Sequence, residues 1–342
     1  MSVRAAPLSG SRDPIARLTG GRIAWGWRRY RYAALAYGLL LVLVIVNIAL
    51  SDDFFSEAVL VPLIAGAAPL VILTIAMTVP MLAGNGGIDI SVGPLAGLVN
   101  VVIIAGVTEG TLSSSPAVIL PVVLAMGALS GLAVGALVAY GRIQPIVVTL
   151  GVYLIYTALA QIVFSGRSGQ APGWLADLGD RVGPVPGGLI FIAAVLAIWL
   201  ALSRTPYHRH LYAVGDNDAA AYTAGVPVSI VRMGAYVIAG LFAAIAGLAV
   251  TALIAAGDAA LGPSLTLTAL AVAALGGTSL AGGRGGVLGG LAGGLSVYLV
   301  QNVLSLLGVD SYWVTFSFGA ILVAGIALNG ILTGGLHRRR LA

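Results

Sequence analysis

The chain has 342 residues, 59% of them apolar and only 8% charged, with a mean hydropathy of +1.04. A soluble domain is about 25% charged, so the composition excludes a water-soluble fold, and the lack of cysteine excludes disulfides and thiol-ligated metal. All 17 basic residues are arginine, and without lysine the chain has neither a phosphate loop of the Gly-x-x-x-x-Gly-Lys-Ser/Thr type nor a Schiff-base lysine.

Residues 1–31 form a polar, basic N-terminal segment with seven arginines. No short apolar core with a small-residue cleavage site follows it, so a cleaved signal is not expected. The first apolar run, 32–50, is long enough to span a bilayer, which takes about 20 residues. Further runs cover 58–82, 92–108, 116–140, 144–164, 188–203, 228–256, 264–281, 287–307 and 312–333. The longest polar interruptions are a segment of mixed sign at 165–187 and a loop at 204–227. His337 and three arginines close the chain in a tail at 334–342. The expected fold is an all-α polytopic membrane protein, a single transmembrane domain over 32–333 with about ten helices.

Arginine placement tests that span count. Ten spans put both termini on one side. With that side cytoplasmic, the N-terminal and tail arginines share it with Arg142, Arg204, Arg209, Arg232 and Arg284. Only Arg167 and Arg181 fall outside, where Asp52, Asp53, Glu57, Glu109, Asp177, Asp180, Asp258 and Asp310 also lie. The sequence therefore predicts a multi-pass membrane protein with both ends, and the 204–227 loop, in the cytoplasm.

One stretch breaks the apolar pattern in a telling way: Gly84-Asn85-Gly86-Gly87-Ile88-Asp89-Ile90-Ser91-Val92-Gly93. Four glycines in ten residues favour irregular backbone, which near hydrocarbon is tolerated only under a cover of protein or beside a water-filled cavity. Asp89 is a carboxylate placed at membrane depth, where such groups face a bundle interior or a pathway. The simpler alternative is a tight turn with Asp89 capping the next helix. A second break is expected near 276–284. Gly127, Gly131 and Gly135, and Gly289, Gly290, Gly293 and Gly294, have the spacing that lets helices approach closely, and are read as packing positions.

Three motifs now carry a resemblance. Gly86-Gly87-Ile88-Asp89-Ile90-Ser91-Val92-Gly93 resembles the first signature of bacterial ABC sugar-importer permeases of the ribose type, and Leu275-Gly276-Gly277-Thr278-Ser279-Leu280-Ala281-Gly282-Gly283-Arg284-Gly285 resembles the second. Tyr212-Ala213-Val214-Gly215-Asp216-Asn217-Asp218-Ala219-Ala220 resembles the cytoplasmic loop of that family. Asp216 and Asp218 stand where glycine and glutamate are common, and Asn85 where a small residue or Ser/Thr is frequent. The resemblance covers roughly residues 35–330. It implies a non-enzymatic permease subunit for a monosaccharide or similar small polar solute. It also implies an ATPase subunit, a periplasmic or secreted solute-binding protein and a second permease subunit, identical or homologous. No cofactor is implied.

The 204–227 loop is expected to hold a short helix, because Asp216, Asn217 or Asp218 can cap it and Ala219-Ala220-Ala221 are strong helix formers. Asp216, Asn217, Asp218, Ala219 and Ala220 are the candidates for coupling to the ATPase. Polar groups within or beside the spans are candidates for the pathway or gate: Gly86, Gly87, Asp89, Ser91, Asn100, Gln161, Thr278, Ser279, Gln301 and Asn302. For Asn100, Gln161 and Gln301 the competing reading is an interhelical hydrogen bond. Uncharged donors and acceptors suit a sugar, and the absence of a central arginine disfavours an anionic cargo. Two other functions fit in part: a nucleoside or other polar-solute ABC permease, and an ion-coupled secondary transporter, which would work without an ATPase. An intramembrane enzyme is disfavoured, since no histidine lies inside a span.

Overall fold

The computed structural model describes residues 33–310 and, beyond them, 312, 313, 316, 319 and 320. The basic N-terminal segment, most of the run 312–333 and the tail lie outside the described residues. The elements are α1 (Ala34–Leu50), α2 (Glu57–Leu82), α3 (Val92–Thr108), α4 (Pro116–Ala139), α5 (Pro145–Phe164), α6 (Gly173–Asp177), β1 (Arg181–Val182), β2 (Val185–Pro186), α7 (Gly187–Ser203), α8 (Pro206–Asp216), α9 (Asp218–Thr223), α10 (Val228–Ile254), α11 (Leu261–Leu275) and α12 (Val287–Leu306). Among the described residues, five helices are long and apolar enough to cross a membrane: α2, α4, α5, α10 and α12. The pair α7 and α8, bent by 84° at Arg204-Thr205, makes a sixth. Helices α1, α3 and α11 are apolar but shorter; 17 residues reach about 25 Å, just under the hydrocarbon thickness.

For the nine runs up to residue 307, the predicted apolar runs and the observed helices agree within a few residues, except that α11 stops at Leu275 rather than 281. Gly277 at φ +81° turns the chain there, which a right-handed helix cannot accommodate. The strands are an addition to the all-α expectation. They form a four-residue antiparallel hairpin, Arg181 opposite Pro186 and Val182 opposite Val185, too short to leave a period in the sequence.

Helix α2 is the hub. From Ala65 to Leu82 every residue is buried, under α10, α11, α12 and α7. A helix apolar on all sides belongs in an interior. Its threonines turn inward on the helix itself: Thr74 Oγ1 donates to Leu70 O at 2.8 Å and Thr78 Oγ1 to Thr74 O at 2.8 Å.

Glycines set the close crossings. On α4, a Cβ at Gly127 would lie 2.5 Å from Gly240 O, one at Gly131 2.3 Å from Tyr236 O, and one at Gly135 2.8 Å from Met233 O. As the α4 number rises the α10 number falls, so the two helices run antiparallel at backbone contact. Helix α12 uses two glycine faces: Gly290 and Gly294 meet Thr74 and Val71 of α2, while Gly289 and Gly293 meet Gly276 and Val272 beside and within α11. Helix α1 runs parallel to α12, with Tyr37 OH donating to Leu288 O at 3.3 Å and Asn47 Nδ2 to Leu299 O at 3.3 Å.

The loops segregate to two ends. At one, residues 165–186 lie across the helix tips: Arg167 pairs with Glu109, Arg181 with Glu57, and Trp174 Nε1 donates to Ser114 O at 2.7 Å. At the other meet the breaks 83–91 and 276–286, the α4–α5 turn and helices α8 and α9. The first end is acidic and both its arginines are ion-paired; the second carries Arg142, Arg204, Arg209, Arg232 and Arg284, of which only Arg232 is paired among the described residues.

Replacing Gly131 by valine should disrupt the α4–α10 crossing, since overpacking costs about 1–3 kcal/mol. A lowered melting temperature and a loss of monodisperse protein in detergent are expected, with Gly151→Val, at an uncrowded position, unaffected.

Candidate functional site

The arginine-rich end brings together the three segments singled out in the sequence. Their meeting point is a node of glycines. A Cβ on Gly84 would lie 2.9 Å from Gly215 Cα; one on Gly282 would lie 2.3 Å from Gly84 Cα; one on Gly215 would lie 1.9 Å from Leu82 O. The Gly283 amide donates to Leu82 O at 3.2 Å. Gly84 and Gly282 hold φ of +74° and +100°, so they need glycine for conformation as well as for space. The end of α2, the end of α8 and the 276–286 break are thus in backbone contact. Tyr212 OH of α8 adds a bond to Gly285 O at 3.1 Å.

In the first break, Gly87 is buried, and a Cβ there would lie 2.2 Å from Pro80 O; Gly86 is exposed at φ +66°. Asp89 is 2% exposed, and its Oδ1 accepts from the Ser91 amide at 3.0 Å and the Ser91 hydroxyl at 2.6 Å. Ser91 occupies the cap position of α3 but gives its hydroxyl to Asp89 rather than to the helix. Thr149 Oγ1 of α5 donates to Ile88 O at 3.3 Å, tying α5 to this break. In the second break, the Ser279 amide donates to Arg284 O at 3.0 Å, and its Oγ accepts from the Ala281 amide at 3.2 Å. Thr278 is 1% exposed and its hydroxyl has no partner among the described residues.

The remaining pathway candidates are spread out. Asn100, fully buried, donates to Thr251 Oγ1 at 3.0 Å and Ala256 O at 2.9 Å and accepts from the Asp258 amide at 2.8 Å, pinning α3 to the end of α10. Asn302 Nδ2 donates to Asn47 Oδ1 at 2.8 Å, pinning α12 to α1. Gln161 on α5 and Gln301 on α12 are exposed on the outside of the bundle.

The 204–227 loop holds two helices rather than one. Pro206 opens α8 in the first turn, where its missing N–H costs nothing, and Leu211 and Val214 bury one face of that helix. Asn217 separates the two and caps α9, its Oδ1 accepting from the Ala220 amide at 2.9 Å. Asp216, Asn217, Asp218, Ala219 and Ala220 are exposed in a row, Ala221 is the buried anchor, and Asp218 pairs with Arg232 of α10 at 3.2 Å. Gly215, Gly84 and the arginines Arg142 and Arg232 are site residues that the sequence reading did not assign. The one signal for Gly215 was a glycine lodged two residues ahead of a helix cap.

Residues 59–326 match the family model described as branched-chain amino acid transport system / permease component. The chain is similar to the ribose import permease protein RbsC of Escherichia coli, 32% identical over 304 residues covering 85% of this chain and 91% of that one. It is similar to the autoinducer 2 import system permease protein LsrC of Klebsiella pneumoniae, 33% identical over 316 residues, 90% of this chain and 89% of that one. A probable ABC transporter permease protein, y4mJ, of Sinorhizobium fredii is 34% identical over 262 residues, 75% and 77% of the two chains. No solved structure matches it significantly.

Replacing Asn217 by alanine removes the α9 cap, worth about 1 kcal/mol. Faster hydrogen exchange is expected at the amides of 219–223, with Asn217→Asp close to wild type.

Proposed function

The chain belongs to the branched-chain amino acid transport system / permease component family, and on that basis we propose that it is the membrane subunit of an ATP-driven importer for a monosaccharide or similar small polar solute. The observation that carries this reading is the node joining the end of α8, which leads through Asn217 into the exposed small-residue helix α9, directly to both glycine-rich breaks. With no lysine in the chain, the nucleotide chemistry belongs to another polypeptide. An ATPase subunit docks on Asp216, Asn217, Asp218, Ala219 and Ala220, and its closure moves α8 and α9 against Gly84 and Gly282. The breaks at 84–91 and 276–286, fixed to the ends of α2 and α11, shift with them.

Ten spans follow from α1 to α5, α7, α10 to α12 and the run 312–333. Helix directions support strict alternation over the first nine: α4 with α10 and α2 with α12 are antiparallel, and α1 with α12 is parallel. The arginine-rich end is the cytoplasmic one, and both termini lie there. The acidic end receives the solute-binding protein. Asn100 and Asn302 are occupied by interhelical bonds, whereas Gln161 and Gln301 face outward. A second permease subunit therefore completes the path, with the outer face of α5 turned towards it. Ribose is the first cargo to test; autoinducer 2 is the second, given the similarity to its import permease.

Full-length chain, ATPase and binding protein reconstituted together should take up the solute only with ATP; uptake by this chain alone along an ion gradient would refute the proposal. Ala219→Arg with Ala220→Glu should abolish uptake and ATPase association while leaving membrane insertion intact. Because there is no native cysteine, Asn85→Cys and Glu109→Cys report orientation directly: an impermeant thiol reagent on intact cells should label the second and spare the first.

A further inference from the structure

Beside the coupling helix lies a cleft of about 530 Å³ at the arginine-rich end, bounded by the first break, the α4–α5 turn and the start of α10. We propose that it binds a phosphate-bearing anion, either a phospholipid headgroup or a soluble phosphate. Arg142 and Arg232 both line it. Arg142 has no ion-pair partner among the described residues. Arg232 has one weak, partly exposed partner in Asp218, and its Nε is buried without a hydrogen-bond acceptor. A buried, unsatisfied guanidinium N–H is costly, and a turn of the Arg232 side chain into the cleft would bring it to an oxyanion there.

Two of the three helix ends around the cleft have the same polarity. Gln144 and Pro145 are the cap and first residue of the 20-residue α5, and Ser229 is in the first turn of the 27-residue α10. Neither helix has a side-chain cap or an acidic residue in its first turn. Two positive dipole ends therefore face one cavity with no carboxylate to complement them. The last turn of α4 also reaches the cleft, through Val138 and Ala139; just behind them Ala136 O accepts from Tyr140 and Gly141, and Leu137 O from Ile143. Arg142 and Asn85, both lining the cleft, are two of the three non-glycine residues held at positive φ among the described residues, at +54° and +55°. Such conformations persist where surrounding structure or function requires them. Occupancy would link the α4–α5 turn to Arg232, and through it to Asp218 of α9, in competition with that ion pair.

The test uses the full chain in nanodiscs. In one arm, phosphatidylcholine nanodiscs are titrated with radiolabelled inorganic phosphate. In the other, native mass spectrometry counts phosphatidylglycerol retained from an equal mixture with phosphatidylcholine. Arg142→Gly keeps the left-handed backbone and removes the guanidinium, so its melting temperature should not fall. Binding should weaken about tenfold, as expected for losing one charge-assisted contact. Arg142→Gly with Arg232→Gln should abolish it. Phosphate binding identifies a soluble ligand, and selective phosphatidylglycerol retention identifies a headgroup. Absence of binding in both arms, or binding that Arg142→Gly leaves unchanged, overturns the proposal. It is also overturned if the variants loosen only the ATPase subunit, for then the arginines serve an acidic protein surface.

Discussion

The arrangement at the arginine-rich end depends on three backbones passing where no side chain fits. Gly84, Gly215 and Gly282 come from segments far apart in the chain, and the Gly283 amide closes the contact on Leu82 O. A node of this kind has no side chain to rotate and absorb a displacement. Close-packed contacts have two arrangements or one, and deform little in between. The long α2, held by protein along most of its length, lies directly behind the node.

The polar side chains divide into those that hold helices together and those left facing outward. Asn100 uses both its donors and one acceptor lone pair on Thr251, Ala256 and Asp258, and Asn47 and Asn302 tie α1 to α12. Asp89 does neither: it is a buried carboxylate whose donors are the amide and hydroxyl of a residue two positions away. A purely structural carboxylate at that depth would be expected to recruit donors from several helices.

Much of this was legible in the sequence. The apolar runs mark the helices because a lipid-exposed backbone must be helical, which makes length and composition a strong signal. Arginine placement separates the two ends because basic loops are kept to one side of the membrane. The bent pair α7–α8, the helix α6 and the hairpin were not legible. Each is short, and each is held by distant partners: Leu211 and Val214 by the bundle, Trp174 by Ser114, Arg181 by Glu57. The glycine motifs announced an irregular backbone at two places, but their contact with Gly215 is a tertiary fact that spacing along the chain does not encode.

The burial of α2 has a consequence for how the protein is made. It is synthesised second among the described helices, well before α10 and α12, which eventually enclose it. Until those arrive it must reside in lipid without neighbours on most sides. Its composition, apolar around the whole circumference and with threonine hydroxyls bonded to its own carbonyls, suits that waiting state as well as the final interior. The same residues thus answer to two solvents in succession, bilayer during biogenesis and protein thereafter.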